Sequence, residues 1–153
     1  MRDFEKISFE RFKKDIKDDK ELYESYKLPS RGSTAAAGYD LFLVENLTIA
    51  PNEIVKIPTG IKMRCEKDEV LLIIVKSSTG FKYNIRLVNQ VGVIDADYYN
   101  NRDNEGHIFV KIQNEGNETV TFRAGDAVAQ GVFVKYLTTK SDQRPEIERR
   151  STY

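Results

Sequence analysis

The chain has 153 residues, enough for one domain whose apolar core needs neither a disulfide nor a structural metal to hold it. Its 24 basic side chains balance 24 acidic ones, which excludes a bulk attraction to nucleic acid or to an anionic membrane. A single cysteine, Cys65, excludes an internal disulfide, and without a CxxC pair or a His/Cys cluster there is no zinc site; a reducing cytoplasm is the expected compartment.

The opening MRDFEKISFERFKKD is charged from its second residue and has no apolar signal core. The longest apolar run, over 70–75, is too short to cross a bilayer. Residues 8–26 are rich in Lys, Asp and Glu, with Phe9, Phe12 and Ile16 on one helical face and Ser8 placed to cap it, so one short amphipathic helix is expected within a 1–27 extension. After Pro29 the pattern changes to short β-branched and aromatic runs separated by turn residues, as in an all-β sandwich or barrel. Strands are expected over 38–44, 54–57, 70–76, 85–88, 107–113, 119–122 and 127–136, all within a 28–137 β domain. Residues 138–153 are polar, carry Arg144, Pro145, Arg149 and Arg150, and have too few apolar residues to pack a core element, so a flexible C-terminal arm is expected.

Four polar clusters interrupt the apolar runs. Ala37-Gly38-Tyr39-Asp40-Leu41 places a carboxylate inside a strand start, and Lys76-Ser77-Ser78-Thr79-Gly80 ends the strongest apolar strand in a cation, hydroxyls and a glycine. Asn89-Gln90-Val91-Gly92-Val93-Ile94-Asp95-Ala96-Asp97-Tyr98 puts Asp95 after three apolar or small residues, and Gly125-Asp126-Ala127-Val128-Ala129-Gln130-Gly131 sets an amide among small ones. Each alone is ordinary turn chemistry. Together they supply hydroxyl, amide and backbone donors for phosphate oxygens, with carboxylates for a metal and a water, which is the equipment of phosphate ester or anhydride hydrolysis. The only histidine, His107, lies in a strand-like run with no nucleophile elbow nearby and reads as structural. There is no GxxxxGK[ST] loop.

In this order and spacing, the four clusters resemble the motifs of the trimeric dUTPases, with GVIDADYYN the most specific, and the 79–83 and 103–106 segments resemble Gram-positive bacterial and phage variants. The resemblance implies an all-β, jelly-roll-like dUTPase β domain and a homotrimer with shared active sites. It also implies Mg²⁺-dependent hydrolysis of dUTP to dUMP and pyrophosphate, with no nucleic-acid or membrane partner. Asp95 would orient and deprotonate the attacking water; Asn89, Val93, Ile94 and Tyr98 would bind uracil and deoxyribose on a β-hairpin. Lys76, Ser77, Ser78, Gln130 and Arg149 would bind phosphates, and Asp40 would reach Mg²⁺ through a water. Lys76 stands where the family usually has Arg, and Asp97 reads as a structural salt bridge or turn bond. The arm does not match the family's glycine-rich lid with its Phe, so weakened turnover with substrate binding retained is expected. Two rival readings are a dCTP deaminase/dUTPase of the same fold and a dUTPase-like regulatory protein that docks onto a partner under nucleotide control.

Overall fold

A computed structural model describes residues 1–153. The chain opens with β1 (Asp3–Lys6), followed by two short helices, α1 (Phe9–Asp15) and α2 (Lys20–Ser25). Ser8 caps α1 as expected, accepting from the Arg11 N–H at 3.1 Å. The single expected helix is broken because Asp19 caps a second one, taking the Leu22 N–H at 3.0 Å in place of a helical turn. Short strands follow: β2 (Ser30–Arg31), β3 (Tyr39–Phe42), β4 (Leu47–Ile49), β5 (Ile54–Pro58), β6 (Ile61–Arg64) and β7 (Glu69–Val75). Helix α3 (Ser77–Tyr83) was not expected from its hydroxyl-rich sequence; it closes on Asn84, whose left-handed backbone returns its N–H to the Gly80 carbonyl. The remainder is β8 (Ile85–Leu87), β9 (Gly92–Asp95), a 3-10 turn over Ala96–Tyr98, β10 (Phe109–Asn114), β11 (Val120–Phe122) and β12 (Ala127–Lys135).

Every strand pair is antiparallel. The largest sheet has the order β2-β3-β12-β7-β9, and a three-stranded sheet runs β5-β10-β8. Two further pairs, β1-β6 and β11-β4, complete the jelly-roll-like wrap. Inward residues of both sheets, among them Leu41, Leu71, Ile73, Ile94, Val110 and Ile112, meet in one core.

Residues 1–27 are not a separate extension. Phe4, Ile7, Phe12 and Tyr26 belong to the same core, and β1 pairs with β6 along four registered residues. His107 ties the two together: fully buried, its Nε2 accepts the Gly60 N–H at 2.9 Å, so the neutral ring must carry its proton on Nδ1 and donate it to Asp15 at 2.7 Å. Burial pushes its pKa below the ordinary 6.5, with the Asp15 carboxylate opposing. The structural reading of His107 is borne out.

Candidate active site

The stretch from Asn89 to Asp95 does not form the expected hairpin. Its two flanks leave for different sheets, since Leu87 on β8 registers with Ile112 of β10 while Val93 and Ile94 on β9 register with Leu72 and Leu71 of β7. Gly92 permits this crossing, because a Cβ there would lie 3.2 Å from the Ile73 Cβ. The parting of the two sheets opens a cleft of about 300 Å³ whose walls include Ile73, Leu87, Val88, Asn89, Gly92, Ile94, Phe109 and Val110. Lys56 and Lys111 stand opposite one another across β5 and β10 on its rim, and neither has a carboxylate partner. Two like charges held directly opposite are unfavourable by themselves and give the cleft mouth a positive field.

Strand alternation then separates the expected site residues. Gly92 and Ile94 face the cleft; Val93, 54% exposed, and Asp95 face away from it. Asp95 lines a second, more open depression with Asp97, Cys65, Lys67 and Arg149. Tyr98 is buried between the two, its ring approached by Tyr153 at 5.9 Å from the cleft side and by the Arg149 guanidinium at 5.9 Å from the other. Burial raises the pKa of the Tyr98 phenol and pushes that of Tyr153 up to about 12.

The C-terminal arm is irregular over residues 136–148, but its last five residues are docked rather than loose. Arg149 Nη1 donates to Asp95 Oδ2 at 2.9 Å and to Asp97 Oδ1 at 3.3 Å, so Asp97 has a salt bridge, made to the arm rather than in support of a hairpin. Arg150 pairs with Asp103, whose hydrogen bond from that guanidinium holds its carboxyl below the usual range. Ser151 donates its N–H to Asp103 at 2.8 Å, and Tyr153 packs on Phe109 at 5.3 Å. Composition alone missed this docking because it rests on ion pairs and two aromatic contacts instead of an apolar stripe.

Asp40, Lys76 and Gln130 come together elsewhere. Asp40 on β3 registers with Gln130 on β12, and Lys76 Nζ donates to Asp40 Oδ1 at 2.8 Å. Gly38 leaves room beside them, because a Cβ at that position would come within 2.1 Å of Gln130 Oε1 and the amide as placed would have to shift. Ser77 and Ser78 are exposed in the first turn of α3, immediately after Lys76. The chain contains no group of three or more His, Cys, Asp or Glu side chains able to cage a metal ion.

This second group lies far from Asp95 in the same chain. Asp95 registers with Val70, and Lys76, just past the end of β7, is six residues further along the chain, about 20 Å at roughly 3.3 Å per residue. Asp40 lies on the other side of β12 from β7. The fold therefore sorts the expected site residues into two groups, candidate half-sites, one of Asn89, Ile94, Asp95 and Tyr98, the other of Asp40, Lys76, Ser77, Ser78 and Gln130.

Comparison with known proteins settles the family. The dUTPase family model matches residues 24–153. The chain belongs to the dUTPase family. The deoxyuridine 5'-triphosphate nucleotidohydrolase of Lactococcus lactis subsp. lactis is 44% identical over 124 residues, 81% of this chain and 83% of that protein. The crystal structure of dUTPase from Streptococcus mutans superposes with a TM-score of 0.73 at 39% identity, over 90% of this chain and 98% of that one. The fold is shared as well with a D95N mutant of the dUTPase from phage phi11 of S. aureus, 21% identical with a TM-score of 0.71 over 97% of this chain and 99% of that one, a structure described as coordinating a structural Mg(II) ion.

Proposed function

We propose that the chain hydrolyses dUTP to dUMP and pyrophosphate at sites shared between copies of itself, as a homotrimer. The observation that carries the sharing is the separation of the two half-sites. Attack on the α-phosphorus needs the water-activating carboxylate and the phosphate donors within a few ångströms of one atom, and a folded single chain holds them about 20 Å apart. A neighbouring copy that brings its Lys76, Ser77, Ser78, Asp40 and Gln130 to the Asp95 end of this one satisfies the requirement, and a closed ring repeats it at every interface.

In this reading the cleft between the sheets takes the base, with the Asn89 amide and neighbouring backbone reading its polar edge and Ile94 forming part of the wall. Tyr98 lies against the sugar, where a ribose 2′-hydroxyl meets the ring and finds no partner. Val93, on the outward face, contributes through its backbone only. Asp95, beside Arg149, orients the water and accepts its proton as the oxygen attacks the α-phosphorus; the electron pair of the scissile bond leaves with pyrophosphate. Lys76, the two serine hydroxyls and the Gln130 amide hold the phosphate oxygens. Arg149 turns from Asp95 to the triphosphate as substrate arrives, both being anions within reach of one mobile cation.

A Mg²⁺ ion fits this donor set. Asp40 offers one partly buried carboxylate, already paired with Lys76, beside exposed hydroxyls, and a strongly hydrated ion held mainly by phosphate oxygens and water needs no fuller cage. When bound, the ion would offset negative charge on the triphosphate. No helix is long and apolar enough to cross a membrane, and the unpaired Cys65 suits a reducing cytoplasm.

The test is pyrophosphate release from dUTP, dCTP, dTTP and UTP with Mg²⁺, for the wild type and Asp95→Asn. Activity on dUTP alone, lost in the variant, is expected; ammonia release from dCTP would replace this reading with the deaminase one.

A further inference from the structure

The loop between Tyr98 and His107 is wound more tightly than a solvent turn requires. Asn100, Glu105 and Gly106 take φ values of 55°, 65° and 88°, and a Cβ on Gly106 would come within 2.9 Å of both the Tyr98 carbonyl and the Asn100 nitrogen. Two asparagines are buried inside the turn, Asn101 and Asn104, 7% and 8% exposed. Asn101 Nδ2 donates to the Tyr98 carbonyl and to Asn104 Oδ1, each at 2.9 Å, while its Oδ1 accepts the N–H groups of Asp103 and Asn104. Asn104 Oδ1 also accepts the Gly106 N–H, and its Nδ2 donates to the Tyr98 phenol at 2.7 Å. The phenol in turn donates to the His107 carbonyl at 3.0 Å, beside the imidazole that Gly60 and Asp15 already fix.

From this arrangement we infer that Asn104 is a positioning residue for sugar selection: it pins the phenol so that the Tyr98 ring is an unyielding wall. The inference rests on the reading of Tyr98 given above. Deoxyribose and ribose differ by a single oxygen, so exclusion by clash works only if the wall cannot retreat by a fraction of an ångström. A tyrosine restrained by packing alone could turn about its side-chain torsions to admit the extra hydroxyl. One held at its phenol by an amide whose other end is locked into the turn has no such freedom, because moving it strands a buried donor and a buried acceptor. Asn104 needs no contact with the nucleotide to act in this way.

The discriminating quantity is the ratio of kcat/KM for dUTP to that for UTP, measured with the full chain and Mg²⁺ for wild type, Asn104→Ala, Tyr98→Phe, the double variant and Tyr98→Ala. Tyr98→Phe deletes the pinned oxygen while leaving the asparagine turn intact, so an unchanged ratio in it refutes the pin even if Asn104→Ala folds poorly. Asn104→Ala and Tyr98→Phe are each expected to lower the ratio by about tenfold or more, mainly by improving UTP, with the double variant no worse than either single one. An unchanged ratio in Tyr98→Phe, with a lowered ratio in Tyr98→Ala, would overturn the role of Asn104 while leaving Tyr98 in place. An unchanged ratio in Tyr98→Ala would remove the sugar-selecting role of Tyr98 itself.

Discussion

Two inactive variants of this chain should restore one another. Asp95→Asn removes the water-activating carboxylate from one half-site, and Lys76→Met with Ser78→Ala strips a cation and a hydroxyl from the other. General-base loss alone costs about 10²–10⁴-fold, and loss of two hydrogen bonds to charged phosphate oxygens, at about 1.5–3 kcal/mol each, costs about as much, so each parent assembly should retain about 1% of wild-type activity or less. If every site takes Asp95 from one copy and the phosphate donors from its neighbour, random mixing in equal amounts makes both contributors intact in about one site in four, half of a half. Selecting trimers that carry both tags removes the two parental homotrimers and leaves about one intact site in three, so the purified mixture should reach about a third of wild-type kcat per site, more than tenfold above either parent. Co-expression with two different affinity tags, tandem purification and pyrophosphate release from dUTP give the measurement. Mixed oligomers that carry both tags and show only the average of the parents would refute sharing, and the 20 Å separation would need another explanation.

Stability should fall as pH drops below neutrality. The folded-state pKa of His107 is depressed by burial, so the unfolded chain binds the extra proton first, and stability present above 6.5 is lost as pH falls from there towards the folded value. Thermal melts from pH 8 to pH 5 should show this slope in the wild type and a shallower one in His107→Gln; identical slopes would deny it. Gly38→Ala forces the new methyl against the Gln130 amide, an overpacking cost of about 1–3 kcal/mol together with a clear loss of kcat/KM for dUTP, measured by melting and steady-state kinetics; an unchanged enzyme would show that Gln130 can move freely. Arg149→Ala should raise KM for dUTP roughly three- to tenfold, through loss of a charge-assisted phosphate contact. A KM that falls instead would mean that the Arg149–Asp95 pair chiefly opposes substrate.

Much of the fold was legible because the long strands carry clear apolar runs: 70–76 matched β7 (Glu69–Val75) and 127–136 matched β12 (Ala127–Lys135) to within a residue at each end. Shorter elements were not. β4 has three residues and draws its stability from pairing with β11, and α3 forms from Ser-Ser-Thr-Gly, whose local preference is for a turn, because tertiary packing buries Thr79 and the Asn84 cap ends it. The clusters around Asp40, Ser77, Asp95 and Gln130 could be picked out as chemical from residue type and order. Their division into two distant groups could not, since register between β3, β12, β7 and β9 is a long-range property. Asn101 and Asn104 read as ordinary turn residues, and only their burial against Tyr98 distinguishes them.

The pairing of β1 with β6 has a consequence for any shortened form of the chain. These two strands make a sheet by themselves, so β6 has no other neighbour along that edge. Deleting the first eight residues would bare a row of backbone N–H and C=O groups on Ile61–Arg64, next to apolar Met63 and Ile61, and an open strand edge of that kind recruits strands from other molecules. The deleted form is expected to clump at temperatures where the full chain is still folded, visible as light scattering that precedes the loss of circular dichroism. The amino-terminal strand thus guards solubility as much as it adds stability.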